Sequence, residues 1–561
     1  MFTVTESGLI DSVVLMLQWP FSYALNRSNV DKFLVPHYAA HPGLKQAVGV
    51  LIELQKGLSD LPSNEAAWRK AMELRESLSH RPAVHTDWLV TEGPSTKNVA
   101  PMLDTTLCES VCVALHRKKS PAGRSCSVDT LNVLTQCVWL SEHIALCVLG
   151  VAHAVLDGER VRFEAAGPSA QAALRRTWFG VAFDQYSRLS DGARLELWGQ
   201  RGEPDLMDIY LFFTKQWRLG MPEDEGEGAQ GAIRNHFGRV LLPSAKLLAA
   251  CLLMAKHNQV LRRRQAVDIG CGDEFDMIEA YMRSLPLAER VFDLTEKGLT
   301  LGPLQLEPGL LSIAEHIARQ KLGEHWHGAL GHEMARYLVT RIGDTPGVRA
   351  VEVELVKHRT TEKTPLDVDV VVVDERINRV YAVQCKHLES SFGISLLDWL
   401  ERFRRPRKGG RKGLDKAVQQ LSELLRLTKD DVRVRQILID EVGLTPAQID
   451  TIRPVVVHNI WNLDFWQTDQ GICFYDLHTF SNAIKGRERT QGMIQLSGVR
   501  EFGAVRDDVI VDVSDPEALL VAHLNGTDAL ARALAQFDAV RDVRRSVTVG
   551  DRVIVADGLG L

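Results

Sequence analysis

The chain has 561 residues, of which 45% are hydrophobic and 25% charged, with 66 Lys and Arg against 72 Asp and Glu and a formal net charge of -6. That length exceeds one ordinary hydrophobic core and predicts roughly two to four domains. The near-balanced charge excludes a global basic field, so any polyanion site must be local. The opening stretch "MFTVTESGLIDSVVLMLQWP" has no basic region before its apolar run and carries Glu6 and Asp11, a pattern unlike a secretory signal. The longest apolar stretch, "CVWLSEHIALCVLGVAHAVL", is interrupted by Glu142, His143 and His153, which predicts a buried helix and not a membrane span. A cytoplasmic, membrane-free protein is the expectation. Nine cysteines, an odd number spread over a long chain, read as reduced core thiols. Cys108, Cys112, His116 and Cys126 lack the paired C-x-x-C knuckles of a structural zinc site, and the first three also fit helical spacing.

In chain order, residues 1–305 show helical periodicity in segments such as "GLKQAVGVLIELQKGL" and "LPSAKLLAACLLMAKHNQVLRRR", with few alternating strands. A mostly α-helical N-terminal region is expected, with a recognition or regulatory role. The Gly/Pro/acid-rich stretch 220–232 has a linker's composition and divides that region into two candidate subdomains. From 306 to 490 the pattern changes to that of a mixed-sheet α/β module. A helical segment runs through "GHEMARYL", and the strands "VRAVEVELVKH" and "LDVDVVVVD" follow it. "NRVYAVQCKHL" pairs with the second of these across the polar turn "DERIN". The amphipathic helix "GLDKAVQQLSELLRL" carries Leu414, Val418, Leu421 and Leu425 on one face, and two strands, "RPVVVHNIW" and "GICFYDL", close the module. Residues 491–561 read as a small α/β extension that offers no chemistry of its own.

The chemistry-bearing residues gather at one hairpin. Asp367 and Asp369 share a face of the first strand, and Gln384 and Lys386 share a face of the second. Antiparallel pairing lets one aspartate approach Gln384 and Lys386 at the sheet end. A carboxylate and an amide oxygen are hard donors of the kind Mg²⁺ accepts. A neighbouring lysine can orient or help deprotonate a water while the metal stabilises charge on a phosphate. That combination is the chemistry of phosphodiester hydrolysis.

The order Glu333 on a helix, Asp369 before "VVVVD" and "QCK" closing the next strand resembles the PD-(D/E)xK nuclease superfamily, in the glutamine variant of Mrr-type restriction endonucleases. The resemblance covers residues 310–490 and implies a restriction-endonuclease-like fold, a mixed sheet flanked by helices. It implies Asp369, Gln384, Glu333 and the Cys385 carbonyl as ligands of Mg²⁺, or of Mn²⁺, and Lys386 as the catalytic lysine. It also implies DNA as substrate and restriction of foreign DNA, such as phage DNA, as the setting. Asp367 fits a supporting position on the same strand. The family more often has Glu where Gln384 stands, so one negative charge is missing from the expected metal site.

Downstream, Arg402, Arg404, Arg405, Arg407, Lys408, Arg411, Lys412 and Lys416 form a glycine-containing basic run suited to tracking phosphates. Trp399 and Phe403 interleave it, and Gln419 and Gln420 follow on the helix. The competing expectation is a nucleic-acid-binding or scaffolding protein that keeps the nuclease fold without activity. Two other motifs offer competing chemistry. "AVDIGCGDEFD", with Asp268, Gly270 and Gly272, resembles the first motif of S-adenosylmethionine-dependent methyltransferases, but it has Glu274 in place of a third glycine and too little chain after it. His325, His327 and His332 lack H-E-x-x-H spacing. Double-strand cleavage would call for two active sites, and a homodimer or a partner protein bound through the helical region would supply the second.

Overall fold

A computed structural model describes residues 2–78, 105–174, 241–301, 313–353, 368–400, 414–488, 506–519 and 545–556, apart from short interruptions within these ranges. The described residues form a mixed α/β protein with helices and several sheets. The chain divides into two compact units. One comprises Met1–Gly180, Leu338–Lys386 and Ile394–Leu561, and the other Val181–Tyr337 with His387–Gly393.

In chain order the strands are β1 (Phe2–Val4), β2 (Ala152–Asp157), β3 (Arg160–Ala165), β4 (Phe292–Thr295), β5 (Gly298–Leu301), β6 (Val348–Glu352), β7 (Val370–Asp374), β8 (Arg379–Lys386), β9 (Arg453–His458), β10 (Trp466–Thr468), β11 (Cys473–Asp476), β12 (Arg487–Glu488), β13 (Arg506–Asp507), β14 (Arg545–Val549) and β15 (Arg552–Ala556). The first unit is organised on a seven-stranded sheet of order β1-β10-β11-β9-β8-β7-β6. Next to its edge strand β6, β7 and β8 form the antiparallel hairpin, with Val370 opposite Val383 and Asp374 opposite Arg379. Strands β8, β9 and β11 run parallel. The unbroken valine run of β7 is buried throughout, as expected of a strand covered on both faces. The turn is pinned by the buried Asp374 carboxylate, which accepts from the Arg376 main-chain N–H at 3.1 Å and from its guanidinium at 2.8 and 2.6 Å.

The parallel step from β8 to β9 needs a long crossover. It is made by the helices Asp415–Asp430, Val432–Val442 and Pro446–Ile449. The first of these buries Leu414, Ala417, Leu421 and Leu424. Its inward face is thus turned by one position at two places from the Leu414, Val418, Leu421, Leu425 stripe expected from sequence. The second ends at Gly443, whose φ of 72° supplies the left-handed residue that closes a helix. The C-terminal residues 512–514 clamp the sheet: the Asp512 carboxylate accepts from Arg379 Nε at 2.6 Å and Tyr381 OH at 3.0 Å, and Tyr475 OH donates to the Val513 carbonyl at 2.7 Å.

The N-terminal part of this unit is helical around Val128–Val148. That helix is long and apolar enough by composition to cross a membrane, and 83% of its most apolar window is buried inside the protein. The region also holds the β2–β3 hairpin, which the sequence reading missed. Strand β3 pairs in parallel with β15, giving a four-stranded sheet of order β14-β15-β3-β2. The tail read as a separate extension therefore completes a sheet begun by residues 152–165. The N-terminus does the converse, since β1 adds in parallel to β10 at the edge of the seven-stranded sheet.

The second unit contains the helices Arg263–Asp268 and Gly272–Ser284 and the β4–β5 hairpin. Its core includes Leu241, Leu248, Phe275, Ile278, Met282, Phe292 and Leu299.

Candidate functional site

The β7–β8 register extends one residue beyond Val370 and Val383, which sets Asp369 opposite Gln384 on one face of the sheet. The two side chains meet: Gln384 Nε2 donates to Asp369 Oδ2 at 2.5 Å, and the Cys385 main-chain N–H donates to the same oxygen at 2.7 Å. Ladder bonds hold the backbone on both sides of the aspartate. The Asp369 N–H donates to the Val383 carbonyl at 3.2 Å, and the Asp369 carbonyl accepts from Val353 at 3.2 Å. One carboxylate oxygen is thus fixed by two N–H donors.

Gln384 is 1% exposed, and among the described residues its Oε1 has no hydrogen-bond partner. A buried amide oxygen without a donor is costly, on the order of 1 to 3 kcal/mol. A cation or a water would supply what it lacks. The donor set of a half-buried carboxylate and an orphaned amide oxygen is the all-oxygen kind that fits Mg²⁺.

Lys386 lies two residues on and faces the same way as Gln384. Cys385 points to the opposite face and is buried. Burial pushes its thiol well above its ordinary value. Asp369 and Glu352 push in the same direction, and Lys386 pushes against them.

Sequence reasoning missed the residues beside Lys386. The parallel register sets Lys386 next to His458 on β9, and His458 next to Asp476 on β11. His458 is 0% exposed and Asp476 2%. Asp476 starts the helix Leu477–Lys485 and accepts from the Thr479 N–H at 3.1 Å, while Asp464 accepts from the Asp476 N–H and lies 2.8 Å from Thr479 Oγ1. The signal for His458 and Asp476 is their place at the end of an apolar strand, but their alignment with Lys386 depends on parallel pairing across long connections.

The remaining sequence candidates fall as follows. Glu333 lies on the helix Trp326–Gly343, with its side chain outside the described residues. Asp367 and the basic residues Arg402, Arg404, Arg405, Arg407, Lys408, Arg411 and Lys412 also lie outside them. Lys416 and Gln419 are exposed on the first turns of the helix Asp415–Asp430, where Gln419 donates to Asp415 at 2.8 Å. Cys108 and Cys112 are buried on the helix Thr105–Arg117, and Cys126 is a buried free thiol. Among the described residues no three His, Cys, Asp or Glu side chains gather as a metal site. Asp268 ends a helix, Gly270 lies in the turn after it, and Gly272 starts the next helix. A nucleotide-type glycine loop instead follows a strand. His325 and the side chains of His327 and His332 are outside the described residues.

The chain matches no protein-family model, no curated protein and no solved structure.

Proposed function

We propose that the protein is a metal-dependent nuclease that hydrolyses phosphodiester bonds, with DNA as substrate and a restriction-endonuclease-like module as the catalytic part. The observation that carries this reading is the Asp369–Gln384 pair, one carboxylate held by two N–H donors beside a buried, unpartnered amide oxygen, with Lys386 on the same face. Asp369, Gln384 through Oε1 and the Cys385 carbonyl would hold Mg²⁺ or Mn²⁺. When bound, such an ion stabilises negative charge on a phosphate and acidifies a water.

The chain's own residues account for the rest. Gln384 and the Cys385 N–H fix one Asp369 oxygen and so hold the carboxylate in place. Lys386 carries a positive charge at the sheet end, where it can hold a phosphate oxygen and the attacking water in line. Lys416 and the basic run before it would add salt-dependent, sequence-independent affinity for the nucleic-acid backbone. Restriction of foreign DNA in the cytoplasm is the biological setting that fits such an activity.

Cleavage of supercoiled and linear DNA by the wild type and by Lys386→Ala, with Mg²⁺, with Mn²⁺ and with EDTA, tests the reading. Metal-dependent cutting lost in the variant is expected. Equal cutting by both proteins would overturn it. A second reading, a nucleic-acid-binding protein without activity, is favoured by the neutral amide at Gln384, which leaves Asp369 as the one acid at this pair. It predicts DNA binding that neither EDTA nor Asp369→Asn changes.

A further inference from the structure

Away from the β7–β8 hairpin, two histidine rings far apart in sequence meet in the N-terminal part of the first unit. The helix Arg27–Tyr38 ends shortly before His41, whose N–H donates to the His37 carbonyl at 3.1 Å. The chain then passes Gly43, which lies directly on the β2–β3 hairpin. Its N–H donates to the Ala154 carbonyl at 2.9 Å. A Cβ on Gly43 would lie 2.9 Å from Val161 Cγ1 and 3.0 and 3.1 Å from the Val155 and Ala154 carbonyl oxygens, an approach that suits glycine alone. His41, two residues before Gly43, and His153, one before Ala154, are thereby held against each other. Their Nδ1 atoms are 3.4 Å apart, with ring centroids 5.2 Å apart and planes tilted by 34°.

That spacing is long for a hydrogen bond, whose N–H donor and acceptor ordinarily stand about 2.9–3.0 Å apart. It matches two ligands of one metal ion. Two nitrogens each about 2.0–2.1 Å from zinc and set at the tetrahedral angle are about 3.4 Å apart. The protonation state fits as well. Burial, then His153 and His37, hold the His41 ring below the ordinary histidine value, which favours the neutral imidazole that a metal requires. The Cys147 carbonyl beside the same ring pulls the other way, and a metal-bound histidine ordinarily gives its remaining N–H to such an oxygen. His41 is 5% exposed while His153 is exposed, so the pair is anchored on one side and open to an entering ion on the other.

A third donor stands across the hairpin. Glu164 of β3 is directly opposite His153 of β2, and residues so placed share a face with Cβ atoms about 4.5–5.5 Å apart. Its carboxylate is 3.2 Å from Arg162 Nε, with the two side chains 40% and 44% exposed, an ion pair of the weak, solvent-screened kind. Among the described residues no third His, Cys, Asp or Glu is gathered with the two histidines as folded, so Glu164 joins by turning away from Arg162. We propose that His41 and His153 bind a divalent transition-metal ion of zinc's class, with Glu164 as third ligand and water completing the shell. Imidazole nitrogens suit zinc, nickel and copper, whereas Mg²⁺ takes oxygen ligands. The site is therefore chemically distinct from the Asp369–Gln384 pair. A bound ion would tie the end of the helix Arg27–Tyr38 to the β2–β3 hairpin.

Calorimetric titration of Zn²⁺ into the full-length protein, in excess Mg²⁺, tests this. Other histidines and thiols also take up zinc, so the readout is the difference between proteins. The wild type should bind one equivalent more than His153→Gln, a change at an exposed position that should leave the far-ultraviolet circular dichroism unaltered. Glu164→Gln should keep that equivalent but weaken it at least about tenfold, since even partners outside the first shell of a metal are worth that much. Asp369→Asn should bind it as the wild type does. Equal stoichiometry and affinity in wild type and His153→Gln would overturn the proposal, and so would loss of the same equivalent in Asp369→Asn. An unchanged affinity in Glu164→Gln would overturn the third ligand. None of these readouts depends on nuclease activity.

Discussion

Replacing Gln384 by Glu probes the candidate site without reference to turnover. In the wild type the Gln384 amide donates to Asp369 at 2.5 Å from a position 1% exposed to solvent. Glutamate is nearly the same size, so packing is kept. The change removes one N–H donor to a carboxylate, which costs about 2 kcal/mol. It also sets a second carboxylate against the first. Two unit charges about 4 Å apart at an effective dielectric of about 20 repel by about 4 kcal/mol, and side-chain movement or a shared proton relieves part of this. The expected loss is about 2 to 4 kcal/mol in EDTA at neutral pH, read by urea unfolding followed by the far-ultraviolet signal. Mg²⁺ should then stabilise the variant more than the wild type, because a cation between two carboxylates gains what the apo variant loses. At a hundredfold excess over the dissociation constant, binding contributes about 2.7 kcal/mol. A Gln384→Glu protein as stable as wild type in EDTA would refute the contact. A variant destabilised in EDTA but indifferent to Mg²⁺ would refute the metal site and leave the contact standing.

Other consequences can be checked separately. The Asp512 carboxyl is pushed up by burial, but hydrogen bonds from Ser514, Arg379 and Tyr381 outweigh this and hold it below its ordinary value. A lowered folded-state value means the stabilisation is present above the ordinary carboxylate range and is lost as pH falls through the folded value. The urea midpoint of wild type should therefore exceed that of Asp512→Asn at neutral pH and converge on it in acid. A constant gap would contradict this. Burial pushes the thiols of Cys137 and Cys473 up to about 12 and that of Cys126 up to about 11, so iodoacetamide at mildly alkaline pH should leave all three unmodified in the native protein and label them in urea. Labelling of any of them before unfolding, read by peptide mass mapping, would show the burial to be wrong. Deleting 545–561 removes β14 and β15, including the buried Val547, Ile554 and Val555. Several kcal/mol of apolar burial, at about 1.5 to 3 per side chain, should be lost, and the β3 edge should be opened to aggregation. A truncation product that is equally stable and does not aggregate would contradict the pairing of β15 with β3.

What the sequence determined by itself is local. The β7–β8 hairpin is legible because its two strands lie close in sequence and the turn is marked by Asp374 and Asn378, and period-two alternation then puts Asp369 and Gln384 on one face. The helix Asp415–Asp430 is legible from its stripe, although which side chains go inward is decided by what it packs against. The hairpin also made Lys386 a visible neighbour of the pair. Tertiary structure alone decided the rest. The row Lys386, His458, Asp476 exists because three parallel strands align across crossovers whose register no local signal sets. The pairing of β1 with β10 and of β15 with β3 joins segments hundreds of residues apart. Such contacts arise where two exposed strand edges find one another and leave backbone groups paired in place of hydrated ones. A strand's own residues say that it needs a partner, and only the folded chain determines which one.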